Sequence, residues 1–139
     1  MSETLRGGCL CAAVRYEITQ ALQTIIACHC THCQKASGSG ASHNAIVPAA
    51  AFRLVSGGTK CYTDTAESGN RLYRHFCGDC GSPIFSQREH APHVMVLKVG
   101  SLDDSNAMKL AMNIWTRSAR PWMPIDPDVT NYPENRPAS

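Results

Sequence analysis

Three cysteines stand within six residues, in the stretch Cys28-His29-Cys30-Thr31-His32-Cys33. Thiolates at this spacing can converge on one metal ion while the backbone turns around it, and zinc binds thiolate well. Zinc prefers four ligands in a tetrahedron, so three local ligands leave a fourth position. A closed fourth position makes a structural site, and one open to solvent or substrate makes a catalytic site.

Four further cysteines form two pairs, Cys9 with Cys11 and Cys77 with Cys80. Together they make a four-cysteine set typical of structural zinc, and they close a long loop, where a metal clip stabilises most in theory. The alternative grouping is four plus four, with Cys61 completing the second site. A lone cysteine in a strand is most often a buried small hydrophobe, so ligand count favours four plus three. An iron–sulfur cluster also uses thiolates, but the paired spacings favour zinc.

A zinc ion held by three thiolates has a net charge of −1 and polarises a carbonyl weakly, which argues against a hydrolase. Such a metal can take a thiol as fourth ligand and remove its proton. The thiolate could then attack a small aldehyde, and the reverse reaction would cleave the carbon–sulfur bond. His29 or His32 could move the proton or donate to the sulfurs, although either histidine could instead lie exposed in a loop.

A small thiol substrate can also carry carboxylate groups. Arg117 and Arg120, between Trp115 and Trp122, are candidates to bind one of them. The alternative for both is a solvated arginine stacked on tryptophan. Asp79 and Asp103 are interpreted as turn caps.

Composition indicates an ordinary globular chain of one domain over residues 1–139, with 43% apolar and 17% charged residues. Seven thiolates and two zinc ions would shift the formal charge from +2 to about −1, which argues against nucleic acid binding. The first eight residues contain no apolar segment typical of a signal peptide, and no run of about 18 apolar residues could span a membrane. We therefore expect a reducing, cytoplasmic location, with metal favoured over disulfides or a Cys77/Cys80 redox pair.

Short alternating segments predict a mainly β fold with the cysteines at strand ends. A helical turn is predicted over 34–37, and the tail from Pro121 is expected to be irregular, packed by Trp122 and Tyr132 if at all. The predicted strands cover residues 13–18, 22–27, 45–47, 52–55, 60–64, 71–76, 83–86, 94–99 and 110–116.

The cysteine segments resemble the glutathione-dependent formaldehyde-activating enzyme family. The resemblance rests on Gly7-Gly8-Cys9-Leu10-Cys11, on residues 28–38, on Phe76-Cys77-Gly78-Asp79-Cys80-Gly81-Ser82, and on later landmarks at 100–104 and 120–122. Ala12 departs from the family's usual glycine, and Asn113 stands where many members have histidine.

The resemblance implies an Mss4-like zinc-binding β fold. It also implies that Cys9, Cys11, Cys77 and Cys80 are structural while Cys28, Cys30 and Cys33 are catalytic. The activity it implies joins glutathione and formaldehyde, a carbon–sulfur lyase reaction in reverse. Two alternatives remain at this point: an interaction module with purely structural zinc, and a nucleic-acid binder using the tryptophans and arginines near residues 115–122.

Overall fold

The computed structural model describes residues 4–66 and 68–137. Across these residues the chain is mainly β, with one α-helix and three short 3-10 helices, which confirms the fold class predicted from alternation. It divides into two compact units. The first unit contains residues 4–22 and 45–107, and the second contains residues 23–44 and 108–137. The single domain expected over residues 1–139 stays a prediction, and residues 1–3 and 138–139 lie outside the described residues.

The first unit contains a three-stranded antiparallel sheet in the order β1–β2–β5. Its strands are β1 Leu5–Gly8, β2 Arg15–Ile18 and β5 Phe52–Ser56. Tyr16 and Ile18 are buried, while Glu17 on the opposite face forms ion pairs with Arg6 and Arg53 on the two flanking strands. The period-two alternation of β2 therefore separates a core face from a charged face.

A second set of strands in the first unit is an antiparallel meander in the order β9–β8–β7–β6. Its strands are β6 Thr59–Thr65, β7 Arg71–Cys77, β8 Pro83–Arg88 and β9 Val94–Lys98. The largest fully buried side chains of this unit include Tyr16, Ile18, Val47, Ile84 and Leu97. Phe85 stacks on His75 at 4.3 Å between ring centroids, so the apolar residues of the meander form a packed core.

The second unit has the strand order β11–β10–β3–β4. Its elements are β3 Thr24–Cys28, α1 Thr31–Ser37, β10 Lys109–Ile114 and β11 Thr130–Asn131, with residues 42–44 of β4 Ser42–Pro48. Strands β3 and β10 pair in parallel, placing Cys28 beside Ile114. The arrangement brings a late strand of the chain against the segment that carries three cysteines.

Several boundaries differ from the sequence-based predictions. The helix begins at Thr31 rather than residue 34, because Cys30 caps it, and it ends before Gly38, whose φ of +68° stops the helix. The final strand ends at Ile114, since Trp115 has φ +58° and cannot continue it. Strands β1 and β11 were not predicted because their sequences carry no alternating apolar pattern. Trp122 is 67% exposed, so it does not pack the tail.

No helix among residues 4–66 and 68–137 combines the length and the apolar character needed to cross a membrane.

Candidate metal centres

The first cluster joins the sulfurs of two knuckles, the cysteine-bearing turns at residues 9–12 and 77–80, which are far apart in the sequence. Cys9 and Cys11 follow β1, Cys77 ends β7, and Cys80 lies in the turn after it. All four sulfurs lie within 4.8 Å of one another. The Sγ atoms of Cys9 and Cys11 are 3.6 Å apart, and those of Cys11 and Cys77 are 3.8 Å apart. Zn–S bonds of about 2.3 Å give a tetrahedron with edges of about 3.8 Å, so this donor set fits a zinc ion.

Backbone amides turn toward the sulfurs of this cluster. Val14 N–H donates to Cys9 Sγ at 3.2 Å, and Asp79 N–H donates to Cys77 Sγ at 3.4 Å. Ser82 joins the two knuckles, because its Oγ accepts from Leu10 N–H at 3.0 Å and lies 3.2 Å from Cys80 Sγ. The contacts at Cys9 and Cys80 favour the thiolates of these two residues, and the Leu10–Ser82 hydrogen bond links the two segments that carry the four cysteines.

The thiols of the first cluster differ widely in acidity. Hydrogen bonds from the Ser82 side chain and backbone lower the pKa of Cys80 to about 5. A hydrogen bond from the Ala13 backbone favours the Cys11 thiolate, but the neighbouring sulfurs of Cys9 and Cys80 outweigh it and raise the pKa of Cys11 to about 12. Four thiolates this close repel one another, and a divalent cation is the partner that lets all of them ionise together.

The second cluster is local. Strand β3 ends at Cys28, Cys30 caps the helix, and Cys33 lies in the first turn of α1. Their sulfurs lie within 4.8 Å of one another, and no fourth cysteine, histidine or carboxylate in residues 4–66 and 68–137 joins them. Cys33 N–H donates to Cys30 Sγ at 3.3 Å, so the cap both starts the helix and orients one sulfur. This is the predicted grouping of four and three.

Crowding in the second cluster disfavours thiolates unless a cation is bound. The pKa of Cys28 is raised strongly, first by its contact with Cys30, then by its contact with Cys33, and further by burial. Cys28 and Cys33 are buried, and Cys30 is half-buried. Three soft sulfurs in a partly buried pocket fit zinc better than a hard cation, because Mg²⁺ and Ca²⁺ select oxygen ligands.

A hydrogen-bonded frame holds the segment around these three cysteines. His29 N–H donates to the Ile114 carbonyl at 3.0 Å. Gln34 Nε2 donates to the carbonyls of His29 at 2.8 Å and Ser118 at 2.9 Å. The Gln34 Oε1 atom accepts from Arg120 Nε at 2.9 Å. Gln34 therefore ties residues 28–33 to the segment that follows β10. The sequence did not reveal this role, because glutamine is not a usual metal ligand.

The structure corrects one alternative for the histidines. His29 is 0% exposed, so it is not an exposed loop residue. Its Nε2 lies 2.8 Å from Asn113 Oδ1, and its Nδ1 is buried without a hydrogen-bond partner among the described residues. His32 lies in α1 and is half-buried. The sequence identifies Asn113 only as a departure from the family that the chain resembles, and it does not predict the contact with His29.

The two candidate arginines differ in their surroundings. Arg117 forms an ion pair with Glu134 at 2.5 Å and lies 5.1 Å from the centroid of the Trp115 ring. Arg120 is exposed and contacts the neutral side chain of Gln34, and no carboxylate among the described residues pairs with it. The stacked arginine expected as the alternative is thus found at Arg117, while the Arg120 guanidinium is the one with capacity for a further anion.

Cys61 is exposed and belongs to neither cluster, so the expectation of a buried hydrophobe is wrong. It lies on β6, the terminal strand of the meander, most of whose residues are exposed. The rival grouping, with a fourth cysteine in the second cluster, is not found among the described residues. Asp103 pairs with Arg15 at 2.5 Å, and this contact lowers the pKa of its carboxyl.

Comparison with known proteins identifies a family and solved structures of similar fold. The sequence profile described as glutathione-dependent formaldehyde-activating enzyme matches residues 4–118. The fold is similar to a crystal structure of a Rhodobacter sphaeroides protein from a structural genomics programme, with 23% identity and a TM-score of 0.58. That match covers 73% of this chain and 90% of the other, and at this identity it speaks to the fold alone.

Proposed function

This chain belongs to the glutathione-dependent formaldehyde-activating enzyme family, and on that premise we propose that it is a zinc-dependent carbon–sulfur lyase. Its substrate would be the adduct of a small thiol and a small aldehyde, as in S-(hydroxymethyl)glutathione synthase. The observation that carries the proposal is the cluster of Cys28, Cys30 and Cys33, whose three sulfurs converge without a fourth ligand among the described residues. Cys9, Cys11, Cys77 and Cys80 would hold a second, structural zinc.

The three-cysteine set suits a thiol better than water. When bound there, Zn²⁺ would offer a soft fourth position and hold a thiol as thiolate at neutral pH. A free thiol has a pKa of about 8.5, so only a few per cent is thiolate at pH 7.

The reaction needs one proton to move and no oxidant. In the direction of synthesis the thiol loses its proton, its sulfur forms a bond to the carbonyl carbon, and the carbonyl oxygen becomes a hydroxyl. In cleavage the hydroxyl loses its proton, the carbonyl reforms, and the carbon–sulfur bond breaks with its electron pair on sulfur. His29 is the favoured proton carrier, because it stands between Cys28 and Cys30 in the sequence and its buried Nδ1 has no hydrogen-bond partner among the described residues. His32, on α1, is the second candidate.

Arg120 is the favoured group for a substrate carboxylate. Arg117 is already paired with Glu134, whereas the Arg120 guanidinium contacts only an amide oxygen among the described side chains. The Gln34 contact ties it to the segment that carries the cysteines. Reduced thiolates and a glutathione-like substrate both require a reducing compartment, so a cytoplasmic location is part of the proposal.

The test is calorimetry of the zinc-loaded protein with glutathione and with S-methylglutathione, in two buffers of different ionisation enthalpy. Glutathione should bind and release close to one proton at pH 7, because the free thiol is mostly protonated and the bound one is not. S-methylglutathione keeps both carboxylates but offers no thiolate, so it should bind much more weakly.

Two arginine variants form a matched pair in the same titration. Arg120→Ala should weaken glutathione about tenfold and leave an uncharged thiol such as 2-mercaptoethanol unchanged, while Arg117→Ala should affect neither. Equal binding of S-methylglutathione without proton release would contradict capture through sulfur. If neither glutathione ligand bound, the chain would be better described as an interaction module that keeps the zinc fold.

A further inference from the structure

His29 has one partnered and one unpartnered ring nitrogen, both buried. Nε2 lies 2.8 Å from Asn113 Oδ1, and Nδ1 has no hydrogen-bond partner among residues 4–66 and 68–137. Buried polar atoms are nearly always paired, and an unpaired one calls for an explanation such as a catalytic role or a bound water or ion. The identity of the nitrogen that carries hydrogen therefore decides what kind of ligand atom could pair with Nδ1.

The orientation of Asn113 follows from a chain of amides that ends at a backbone carbonyl. Asn131 Nδ2 donates to the Asp126 carbonyl at 3.1 Å, and a carbonyl can only accept. Asn131 must then present Oδ1 to Asn113, whose Nδ2 donates to it at 2.9 Å. Asn113 in turn presents its own Oδ1 to His29. Flipping either amide would place two acceptors or two donors face to face.

An amide oxygen only accepts, so the hydrogen of neutral His29 lies on Nε2 and Nδ1 keeps its lone pair. Asn113 is 2% exposed on β10, which shields this contact from competing water. Asn131 is an exposed residue on β11, and its side chain accepts a hydrogen bond from the buried amide of Asn113. The backbone of His29 is fixed as well, since its N–H and carbonyl bond to Ile114 and Gln34.

We infer that Asn113 is a positioning residue, supported by Asn131, that holds His29 with its hydrogen on Nε2 so that Nδ1 accepts a hydrogen bond from the hydroxyl of the substrate adduct. This inference rests on the proposed function for the identity of the substrate, but the position of the hydrogen stands on geometry alone. A thiol–aldehyde adduct carries one hydroxyl, a donor, next to the carbon–sulfur bond that breaks. A His29 Nδ1 atom without hydrogen can accept from this hydroxyl, so it would favour binding of the adduct over binding of an analogue that lacks the hydroxyl.

The experiment uses the zinc-loaded protein with ¹⁵N-labelled histidine, and two-bond ¹H–¹⁵N spectra that distinguish the two neutral tautomers. The His29 signals are assigned by their loss in His29→Phe. The wild type should show a bare Nδ1 and a protonated Nε2. Asn113→Leu removes the acceptor at similar volume and should shift His29 to a mixture of tautomers. Asn131→Asp keeps an acceptor for Asn113 Nδ2, so it should retain the wild-type tautomer.

The ligand arm compares S-(2-hydroxyethyl)glutathione with S-ethylglutathione, which differ by one hydroxyl. The hydroxyl compound should bind wild type and Asn131→Asp about tenfold more tightly and shift the Nδ1 resonance, and Asn113→Leu should lose this preference. Hydrogen on Nδ1 in the wild type, or an unchanged tautomer in Asn113→Leu, would overturn the positioning role. The expected tautomers with no preference for the hydroxyl, including failure of both thioethers to bind, would overturn only the substrate contact, and failure of glutathione itself to bind would count against the proposed function instead.

Discussion

The two cysteine clusters use one ligand type in opposite ways. The four-cysteine cluster takes its sulfurs from two knuckles separated by most of the first unit, and its own turns and Ser82 complete it. The three-cysteine cluster takes its sulfurs from six consecutive residues, and its frame comes from residues 113–120 in the second unit. A metal in the first closes a long loop, whereas a metal in the second closes a short one.

The cluster with more ligands is also the one whose metal closes the longer loop. Both features therefore predict that its metal contributes more to the stability of the fold. Removing the metal from the four-cysteine cluster would open the longer loop, so it would increase the conformational entropy of the unfolded chain more. The cluster with three sulfurs could lose its metal while its helix, strand pairing and amide frame remain hydrogen-bonded. Three substitutions, ordered by the size of the expected effect, would sharpen or break this contrast.

Cys77→Ser should leave the protein largely unfolded. A structural zinc contributes roughly 10–16 kcal/mol at neutral pH, while whole domains are stable by only about 5–15 kcal/mol. The measurements are circular dichroism and metal content, with Cys61→Ser as the matched control because Cys61 is exposed and outside both clusters. A Cys77→Ser protein with the thermal midpoint and zinc content of the control would remove Cys77 from the structural site.

Cys30→Ser should keep the fold and lower bound zinc from about two to about one per chain. A serine at this position still accepts from Cys33 N–H, so the cap of α1 survives the change. Mass spectrometry under native conditions and the far-ultraviolet spectrum measure the two expectations, and glutathione binding should be lost. Global unfolding would mean that the second cluster is a closed structural site and would favour the interaction-module alternative.

Ala12→Gly should raise stability by about 1 kcal/mol. Ala12 has φ +68° in the first knuckle, where its N–H donates to the Cys9 carbonyl at 3.1 Å. A side chain in this left-handed region costs roughly 1–2 kcal/mol, and the greater freedom of glycine in the unfolded chain offsets part of the gain. The thermal midpoint should rise by about 2–5 °C.

The matched control is Gly38→Ala, which places alanine in the same region of the second unit, with open space around its Cβ, and should destabilise by a similar amount. No gain in Ala12→Gly would mean that the first knuckle carries no strain.

The sequence predicted most of the fold because alternation and cysteine spacing are local signals. Strand β7 and its closing Cys77 follow directly from residues 71–77, and both clusters follow from the spacing of their cysteines. The missing features depend on long-range contacts. Burial of His29 and its bond to Asn113 require β3 and β10 to be neighbours, and exposure of Cys61 requires β6 to be a terminal strand. The unusual Ala12 was visible in the sequence, but only its φ angle explains why glycine is usual there.

The parallel pairing of β3 with β10, and of β10 with β11, also has a consequence for the order of events during synthesis. Cys80, the last ligand of the four-cysteine cluster, is made 51 residues before Asn131 of the amide frame. At about 5–20 residues per second, the first cluster can be chemically complete roughly 3–10 s before the frame around His29 exists. During that interval Cys28, Cys30 and Cys33 are already made but lack their final surroundings. A ribosome paused late in this interval, once Cys80 has left the exit tunnel, would therefore carry a nascent chain able to hold its first metal ion before its second site is ready.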